Sequence, residues 1–242
     1  ARLHECSSAC RKVRIFAVHG SPSNSNVLKF QSKPLRMALS KEVEWLYADS
    51  PILWEPIHGD NISEEWKLYC SERTDLEKRI AQGKPFSQWY APVSVEGGDD
   101  GRRRFVEEGC AALREQLLAA APVDVVVAFS QGAGIVSQVL EALRKEGAPV
   151  PWRLSVLFNA PPPPYGFVEA PSPHPAIVVL GGAGDPWTDI TRRALPAMLS
   201  NALVLEHEEG HGFPAQIPHS VEVYARIWEA IQRHCGLDVR GA

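Results

Sequence analysis

Apolar and polar residues alternate along the chain in a pattern that predicts strands and helices in turn. Short apolar runs bounded by turn residues are typical of buried strands, and apolar residues at helical spacing are typical of amphipathic helices. Strands that alternate with helices pair in parallel and carry helices on both faces, so the expected fold is a doubly wound α/β sheet. The predicted strands are 13–18, 43–47, 123–129, 154–158, 176–180 and 203–206, and the predicted helices are 26–40 (interrupted at Pro34), 103–120, 132–146, 188–199 and 219–234.

Two stretches depart from this pattern. Residues 1–12 lack the hydrophobic core of a signal peptide and are expected to form a disordered lead-in to a single domain at 13–242. Residues 55–101 lose regular periodicity and are rich in aromatic residues. Long insertions between core elements more often have a function than none, so we predict a variable, cap-like region on the substrate side.

Composition narrows the classes of protein to consider. The formal net charge of −4 offers no basic surface for nucleic acid or an anionic membrane. The apolar runs are all shorter than the roughly 20 residues that span a bilayer. Five cysteines, an odd number without regular spacing, indicate free thiols in a reducing compartment rather than a disulfide framework. We therefore expect a cytoplasmic protein, and the residue pattern calls for neither a metal nor a cofactor.

The segment 123–134, VDVVVAFSQGAG, carries the strongest chemical signal. A buried strand, a tight turn with Ser130 at its apex, and a helix that follows at once resemble the nucleophile elbow of α/β-hydrolases. The usual motif is G-x-S-x-G, and Ala128 replaces the first glycine here. Small residues are needed because the serine backbone is strained and the flanking turns pass close to it.

A nucleophilic serine needs a base to accept its proton and an acid to orient that base, and the elbow fold orders them Ser, Asp or Glu, then His. Asp185 follows the strand 176–180 on a glycine-rich loop, which makes it the candidate acid. The alternative is that Asp185 only caps the next helix, in which case Asp189 is the substitute acid. His211 stands between two glycines after the strand 203–206 and is the candidate base, with His207 and His219 as alternatives.

Backbone N–H groups are expected to stabilise the oxyanion. The N–H of Gln131 directly follows the nucleophile, at the start of a helix whose dipole favours negative charge. The second donor should come from the loop after the first strand, where Ser21 is the candidate because Pro22 has no N–H. The alternative is an ordinary strand-to-loop turn, and His19 is expected to brace this loop.

These motifs together resemble a known family, the FSH1 serine hydrolases, which include the ovarian-cancer-associated protein 2 and fungal thioesterases that release polyketides. The resemblance runs from about Val13 to Trp228 and implies the α/β-hydrolase fold, with Ser130, Asp185 and His211 as the catalytic triad and Ser21 and Gln131 at the oxyanion hole. The motifs that carry it are RIFAVHGSPSN, YADSP, QWY, AFSQGA, GAGDP and EGHGFP.

The expected activity is hydrolysis of an ester or thioester of an apolar acyl group, a small-molecule substrate, through an acyl-enzyme. Aromatic side chains on loops are the predicted substrate contacts, because an aromatic pocket without a basic cluster suits acyl chains. These are Trp54, Trp89, Tyr90, Trp187 and Phe213. Two alternatives remain: a thioesterase that releases a polyketide or fatty-acyl product from a carrier, and a non-catalytic binding protein on the same fold. The sequence does not indicate an oligomeric state.

Overall fold

Six parallel strands form the main sheet of the computed structural model, which describes residues 11–39, 43–56, 72–90, 98–161 and 171–236. The sheet order is β2-β1-β5-β6-β7-β8, and every neighbouring pair is parallel. A separate two-stranded antiparallel ribbon joins β3 to β4. The strands are β1 (Val13–Val18), β2 (Val43–Tyr47), β3 (Ile52–Leu53), β4 (Ser87–Gln88), β5 (Val125–Phe129), β6 (Leu154–Phe158), β7 (Ala176–Leu180) and β8 (Ala202–Glu206).

Seven helices are described around the sheet. The predicted interruption at Pro34 divides the first helical region into α1 and α2, which meet at Ser32. Pro34 lies in the first turn of α2, where its missing N–H breaks no helical hydrogen bond. The helices are α1 (Ser25–Gln31), α2 (Lys33–Ala38), α3 (Asp75–Ala81), α4 (Gly98–Ala119), α5 (Gln131–Glu146), α6 (Thr188–Met198) and α7 (His219–Cys235).

Each face of the sheet carries its own apolar core, because successive side chains of a strand point to opposite faces. Val126 and Ala128 of β5 face a layer built from α4, α5 and α6. Val125, Val127 and Phe129 face the opposite layer, built from α1, α2 and α7. The predicted doubly wound, mostly parallel α/β sheet with helices on both faces is confirmed.

The register of the strands brings the loops that follow them to one edge of the sheet. Val18 pairs with Ala128, and Phe129 pairs with Phe158, so β1, β5 and β6 end at similar heights. The loops that follow β7 and β8 leave from the same edge because all six strands are parallel. Candidate site residues that are far apart in sequence are therefore neighbours at this carboxyl edge.

The aromatic-rich insertion is only partly within the described residues. Residues 57–71 and 91–97 lie outside them, as do residues 1–10 of the predicted lead-in. The described part contains α3, which begins with a capping box between Thr74 and Glu77, and the β3–β4 ribbon. The main-chain groups of Ser23 and Ser87 exchange hydrogen bonds of 3.1 and 2.8 Å, which ties the insertion to the loop after β1.

The expectations on membrane spans and on cysteines can be compared with the residues that the structure describes. None of the helices found there is both long and apolar enough to cross a membrane. Cys110 and Cys235 are free thiols, whereas Cys6, Cys10 and Cys70 lie outside the described residues.

Candidate active site

Ser130 occupies the turn between β5 and α5. Its backbone has φ 51° and ψ −124°, a strained conformation for a residue with a side chain. The turn is held by main-chain hydrogen bonds: the Ser130 N–H donates to the Phe158 carbonyl at 2.9 Å, and the Ser130 carbonyl accepts from Ala133 and Gly134. The strain is thus balanced by the surrounding structure, and the hydroxyl lies beyond the end of the sheet.

The residues on either side of the turn must be small. A Cβ atom on Gly132 would lie 2.4 Å from the His19 carbonyl oxygen, so only glycine fits there. Ala128, which replaces the usual glycine of the motif, is fully buried in β5 and pairs with Val18 and Leu157. Its single methyl group is accommodated within the core.

Ser130, His211 and Asp185 form a continuous hydrogen-bonded series. His211 Nε2 lies 2.9 Å from Ser130 Oγ, and His211 Nδ1 lies 2.9 Å from Asp185 Oδ1. The Asp185 side chain is 1% exposed and that of His211 is 18% exposed, so the acid is buried and the base borders solvent. The structure thus brings together the three side chains selected from their order along the chain. The contacts run from the serine to the histidine and from the histidine to the aspartate.

Asp185 is held as a carboxylate by three hydrogen-bond donors. Burial pushes the pKa of Asp185 up, but hydrogen bonds from His211, Asn159 and the Trp187 N–H outweigh it and hold that pKa below its usual value. The Asn159 amide nitrogen lies 2.6 Å from Asp185 Oδ2, and the Trp187 N–H donates to Oδ1 at 3.0 Å. A buried carboxylate with this set of donors can orient an imidazole and stabilise its charged form.

Sequence reasoning missed Asn159. It follows β6 directly, has a positive φ of 48°, and is 1% exposed. A Cβ on Gly181 would lie 2.6 Å from the Asn159 amide nitrogen and 2.8 Å from Asp185 Cβ, so Gly181 allows these two side chains to meet. The available signal was its place at the carboxyl end of a parallel strand, where functional groups of such sheets gather.

The alternative acid and bases lie elsewhere. The Asp189 side chain is 85% exposed in the first turn of α6, 3.5 Å from Arg192. His207 is buried next to the end of β8, and His219 begins α7 and lies 3.5 Å from Glu208. The hydrogen bonds found among the described residues link Ser130 and Asp185 through His211.

The predicted oxyanion donors belong to two segments that meet at Ser130. Gln131 is the first residue of α5, and a Cβ on the neighbouring Gly20 would lie 3.0 Å from Ser130 Cβ, which shows how closely the Ser21 loop approaches. Among the described groups, none accepts a hydrogen bond from the backbone N–H of Ser21 or Gln131. Two N–H groups at this place can bind a developing oxyanion.

Two of the predicted substrate contacts are core residues. Trp89 is 0% exposed, and its indole N–H donates to the His19 carbonyl at 2.8 Å. Phe213 is 7% exposed and packs against Phe129 and Phe158 with ring centroids 5.2 and 4.5 Å apart. Both side chains therefore support the loops that carry the site, and their contact with substrate stays a prediction. Sequence pattern does not separate a loop aromatic that packs inward from one that lines a pocket.

The other three aromatic residues are half-buried. The Tyr90 carbonyl accepts a 2.9 Å hydrogen bond from the Gln131 side chain, and Trp187 lies two residues beyond Asp185. Trp54 lies at the end of the β3–β4 ribbon, with the Arg73 guanidinium 5.2 Å from its ring centroid. Tyr90 and Trp187 are thus connected to the site, whereas Trp54 contacts the insertion. In the described part of the chain, no group of three His, Cys, Asp or Glu side chains is arranged to hold a metal ion.

Comparison with known proteins identifies the family. The family model described as serine hydrolase (FSH1) matches residues 7–223, most of the chain. The chain belongs to the FSH1 family of serine hydrolases. It is accordingly a hydrolytic enzyme, and the resemblance inferred from its motifs is confirmed.

Proteins similar to this chain agree with this assignment. Esterase OVCA2 of Danio rerio is 24% identical over 223 residues, which cover 86% of this chain and 92% of that one. Esterase alnB of Emericella nidulans is 21% identical over 146 residues, which cover 60% of this chain but only 42% of alnB. A carboxylesterase from Mesorhizobium loti shares the fold with a TM-score of 0.59 at 15% identity, over 89% of this chain and 88% of that one. The FSH1 chain thus has the α/β-hydrolase fold, and its named relatives are esterases.

Phe213→Ala should lower stability rather than substrate affinity. Removing a buried aromatic side chain typically costs about 3–5 kcal/mol of unfolding free energy, which urea denaturation measures. Phe213→Leu, which retains most of the apolar volume, should lose much less. An Ala variant with unchanged stability and a raised KM would instead indicate that Phe213 contacts the substrate.

Asn159→Asp should move the acid limb of the kcat/KM profile to higher pH. The substitution replaces a donor to Asp185 with a second carboxylate, so the pKa of the pair rises and the ionised form of Asp185 is lost earlier as the pH falls. A hydrogen bond to a charged group contributes about 1.5–3 kcal/mol, which corresponds to a shift of about 1–2 pH units. Asn159→Gly fits the positive φ and removes only the donor, so its shift should be smaller. An unchanged profile in the Asp variant would show that Asn159 does not act on Asp185.

Proposed function

We propose that the protein hydrolyses carboxylic esters or thioesters of apolar acyl groups, with Ser130, His211 and Asp185 as its catalytic triad. The observation that carries the proposal is the series of two 2.9 Å contacts from Ser130 Oγ through His211 to the buried Asp185 carboxylate. The strained backbone at Ser130 and the two N–H groups beside it support the same conclusion. Family membership supports hydrolysis in general, and the geometry supports the proposal that these three residues perform it.

The first half of the reaction forms an acyl-enzyme. His211 Nε2 accepts the proton of Ser130 Oγ while that oxygen attacks the acyl carbonyl carbon. The carbonyl oxygen becomes an oxyanion, which the N–H groups of Ser21 and Gln131 stabilise. The intermediate collapses when the bond to the alkoxide or thiolate breaks, and the imidazolium of His211 protonates the leaving group.

The second half releases the acid. A water molecule replaces the leaving group and gives its proton to His211 Nε2 as its oxygen attacks the acyl carbon. A second oxyanion forms on the same donors and collapses to the carboxylic acid, while His211 returns the proton to Ser130 Oγ. Asp185 stays ionised in both halves, because its donors keep its pKa low. It therefore stabilises each imidazolium without changing protonation state.

An apolar acyl group fits the side chains next to the donors. The Tyr90 hydroxyl lies close to the first turn of α5, since a Cβ on Gly134 would be 2.8 Å from it. The Trp187 N–H bonds to Asp185, and Trp187 and Tyr90 are both half-buried, so their rings are the candidates for contact with the acyl group. Rings of this kind bind hydrocarbon chains better than they bind polyanions.

Ser130→Ala should abolish both hydrolysis and covalent labelling by a fluorophosphonate, which reacts with activated serines. Loss of the nucleophile removes the acyl-enzyme path, so a fall of at least about 10³-fold in kcat is expected. The circular dichroism spectrum should match that of the wild type, because the fold does not depend on this hydroxyl. Ser137→Ala, at a buried serine of α5 that bonds to the Ala133 carbonyl 3.0 Å away, is the matched control and should retain labelling. An unlabelled wild-type protein would overturn the proposed function and favour a binding protein.

A chain-length series should show that the rate rises with acyl length. Each additional buried CH₂ contributes about 0.8 kcal/mol, or up to roughly four-fold in kcat/KM per carbon, until the pocket is filled. The measurement uses p-nitrophenyl esters and the matching acyl thioesters from acetyl to dodecanoyl. A rate that is independent of chain length would contradict the apolar acyl preference while leaving the triad intact.

A further inference from the structure

His19 is a buried histidine whose two ring nitrogens both have main-chain neighbours. Nδ1 lies 2.6 Å from the carbonyl oxygen of Gly20, and Nε2 lies 3.2 Å from the backbone nitrogen of Ser50. The residue is 0% exposed, and its ring lies 5.3 Å from that of Trp89. The proposed reaction uses only His211, so His19 has no part in proton transfer to or from the substrate.

The two neighbours fix the tautomer of His19. A backbone N–H can only donate and a backbone carbonyl can only accept. Nε2 must therefore be the unprotonated nitrogen that accepts from Ser50, and Nδ1 must carry the hydrogen that is donated to Gly20. Burial lowers the pKa of His19 to about 4, so this neutral form persists at neutral pH.

The Gly20 carbonyl is part of the same peptide unit as the Ser21 N–H. In a trans peptide the carbonyl and the N–H point in opposite directions within one rigid plane. A hydrogen bond that fixes the Gly20 oxygen on the His19 side therefore turns the Ser21 N–H to the other side. Gly20 also packs against Ser130, so the peptide that carries this N–H is next to the nucleophile.

We propose that His19 is a positioning residue of the oxyanion hole, whose Nδ1–H holds the Gly20–Ser21 peptide so that the Ser21 N–H points at the developing oxyanion. The inference rests on the proposed function and deepens it, since it assigns a role to a residue that never touches the substrate. Trp89 reinforces the arrangement from the insertion: its indole N–H bonds to the His19 carbonyl, and its backbone N–H bonds to the Gln131 side chain. Trp89 thus connects Gln131 to the loop that carries Ser21.

Two amide substitutions separate the two ring nitrogens. The amide nitrogen of Asn is three bonds from Cα, as is His Nδ1, whereas the end of a Gln side chain is four bonds away, as is His Nε2. His19→Asn can retain the donor to Gly20, and His19→Gln can retain only the acceptor for Ser50. Both replace a buried ring with a smaller amide, so each is a control for the packing loss of the other.

The expected result is a loss of kcat that the Asn variant largely avoids. Complete removal of one oxyanion donor costs about 10²–10³ in kcat, so a misdirected donor in His19→Gln should cost on the order of 10–100-fold, with KM nearly unchanged. The kcat of His19→Asn should stay within about five-fold of the wild-type kcat, a much smaller loss than that expected for His19→Gln. Equal losses in the two variants, or none in either, would overturn the inference. In both cases a wild-type enzyme that is active and dependent on Ser130 would leave the proposed function standing.

Nitrogen-15 NMR of the wild-type imidazole provides a test that needs neither variant to fold. The His19 signals should show protonated Nδ1 and unprotonated Nε2 at neutral pH. A protonated Nε2 or a charged ring would overturn the inference whatever the activity measurements show.

Discussion

The close approach of two stretches of backbone, the loop after β1 and the first turn of α5, is the constraint on which the site depends. At Gly132 the two stretches of backbone are so close that any side chain would overlap the His19 carbonyl. This approach brings Gly20, which precedes Ser21, against Ser130, although β1 and β5 are separated by more than 100 residues of chain. The parallel pairing of β1 with β5 makes it possible, because both strands end at the same edge.

Hydrogen bonds from the main chain and from Asn159 then determine where each polar group points. Ser130 is held by its bonds to Phe158, Ala133 and Gly134, and Asp185 by Asn159 and Trp187. Neither the serine nor the acid depends on solvent for its orientation. The chemistry proposed for the site needs this rigidity, because oxyanion donors and a general base act only when they are aligned before the reaction.

Sequence order and periodicity predicted the sheet, its helices and the three residues of the hydrogen-bonded series, because these features depend on local pattern and on the chain direction of parallel strands. Asn159 was missed because an asparagine after a strand is also an ordinary turn residue, and only the fold shows that Asp185 lies beside it. The burial of Trp89 was missed for a related reason. Its environment is created by His19 and Gln131, which are distant in sequence, so local pattern contains no information about its burial.

The loops that carry Asp185 and His211 are bonded directly to each other. The Gly182 N–H donates to the Glu209 carbonyl at 2.7 Å, and a Cβ on Gly182 would lie 2.4 Å from the Glu208 carbonyl oxygen. The Glu209 carboxylate in turn accepts from the backbone N–H groups of Ala215 and Gln216, which closes the His211 loop on itself. The loops that carry Asp185 and His211 are therefore joined and hold these two side chains in a fixed relative position. Engineering that exchanges one of these loops for that of another hydrolase has to exchange both.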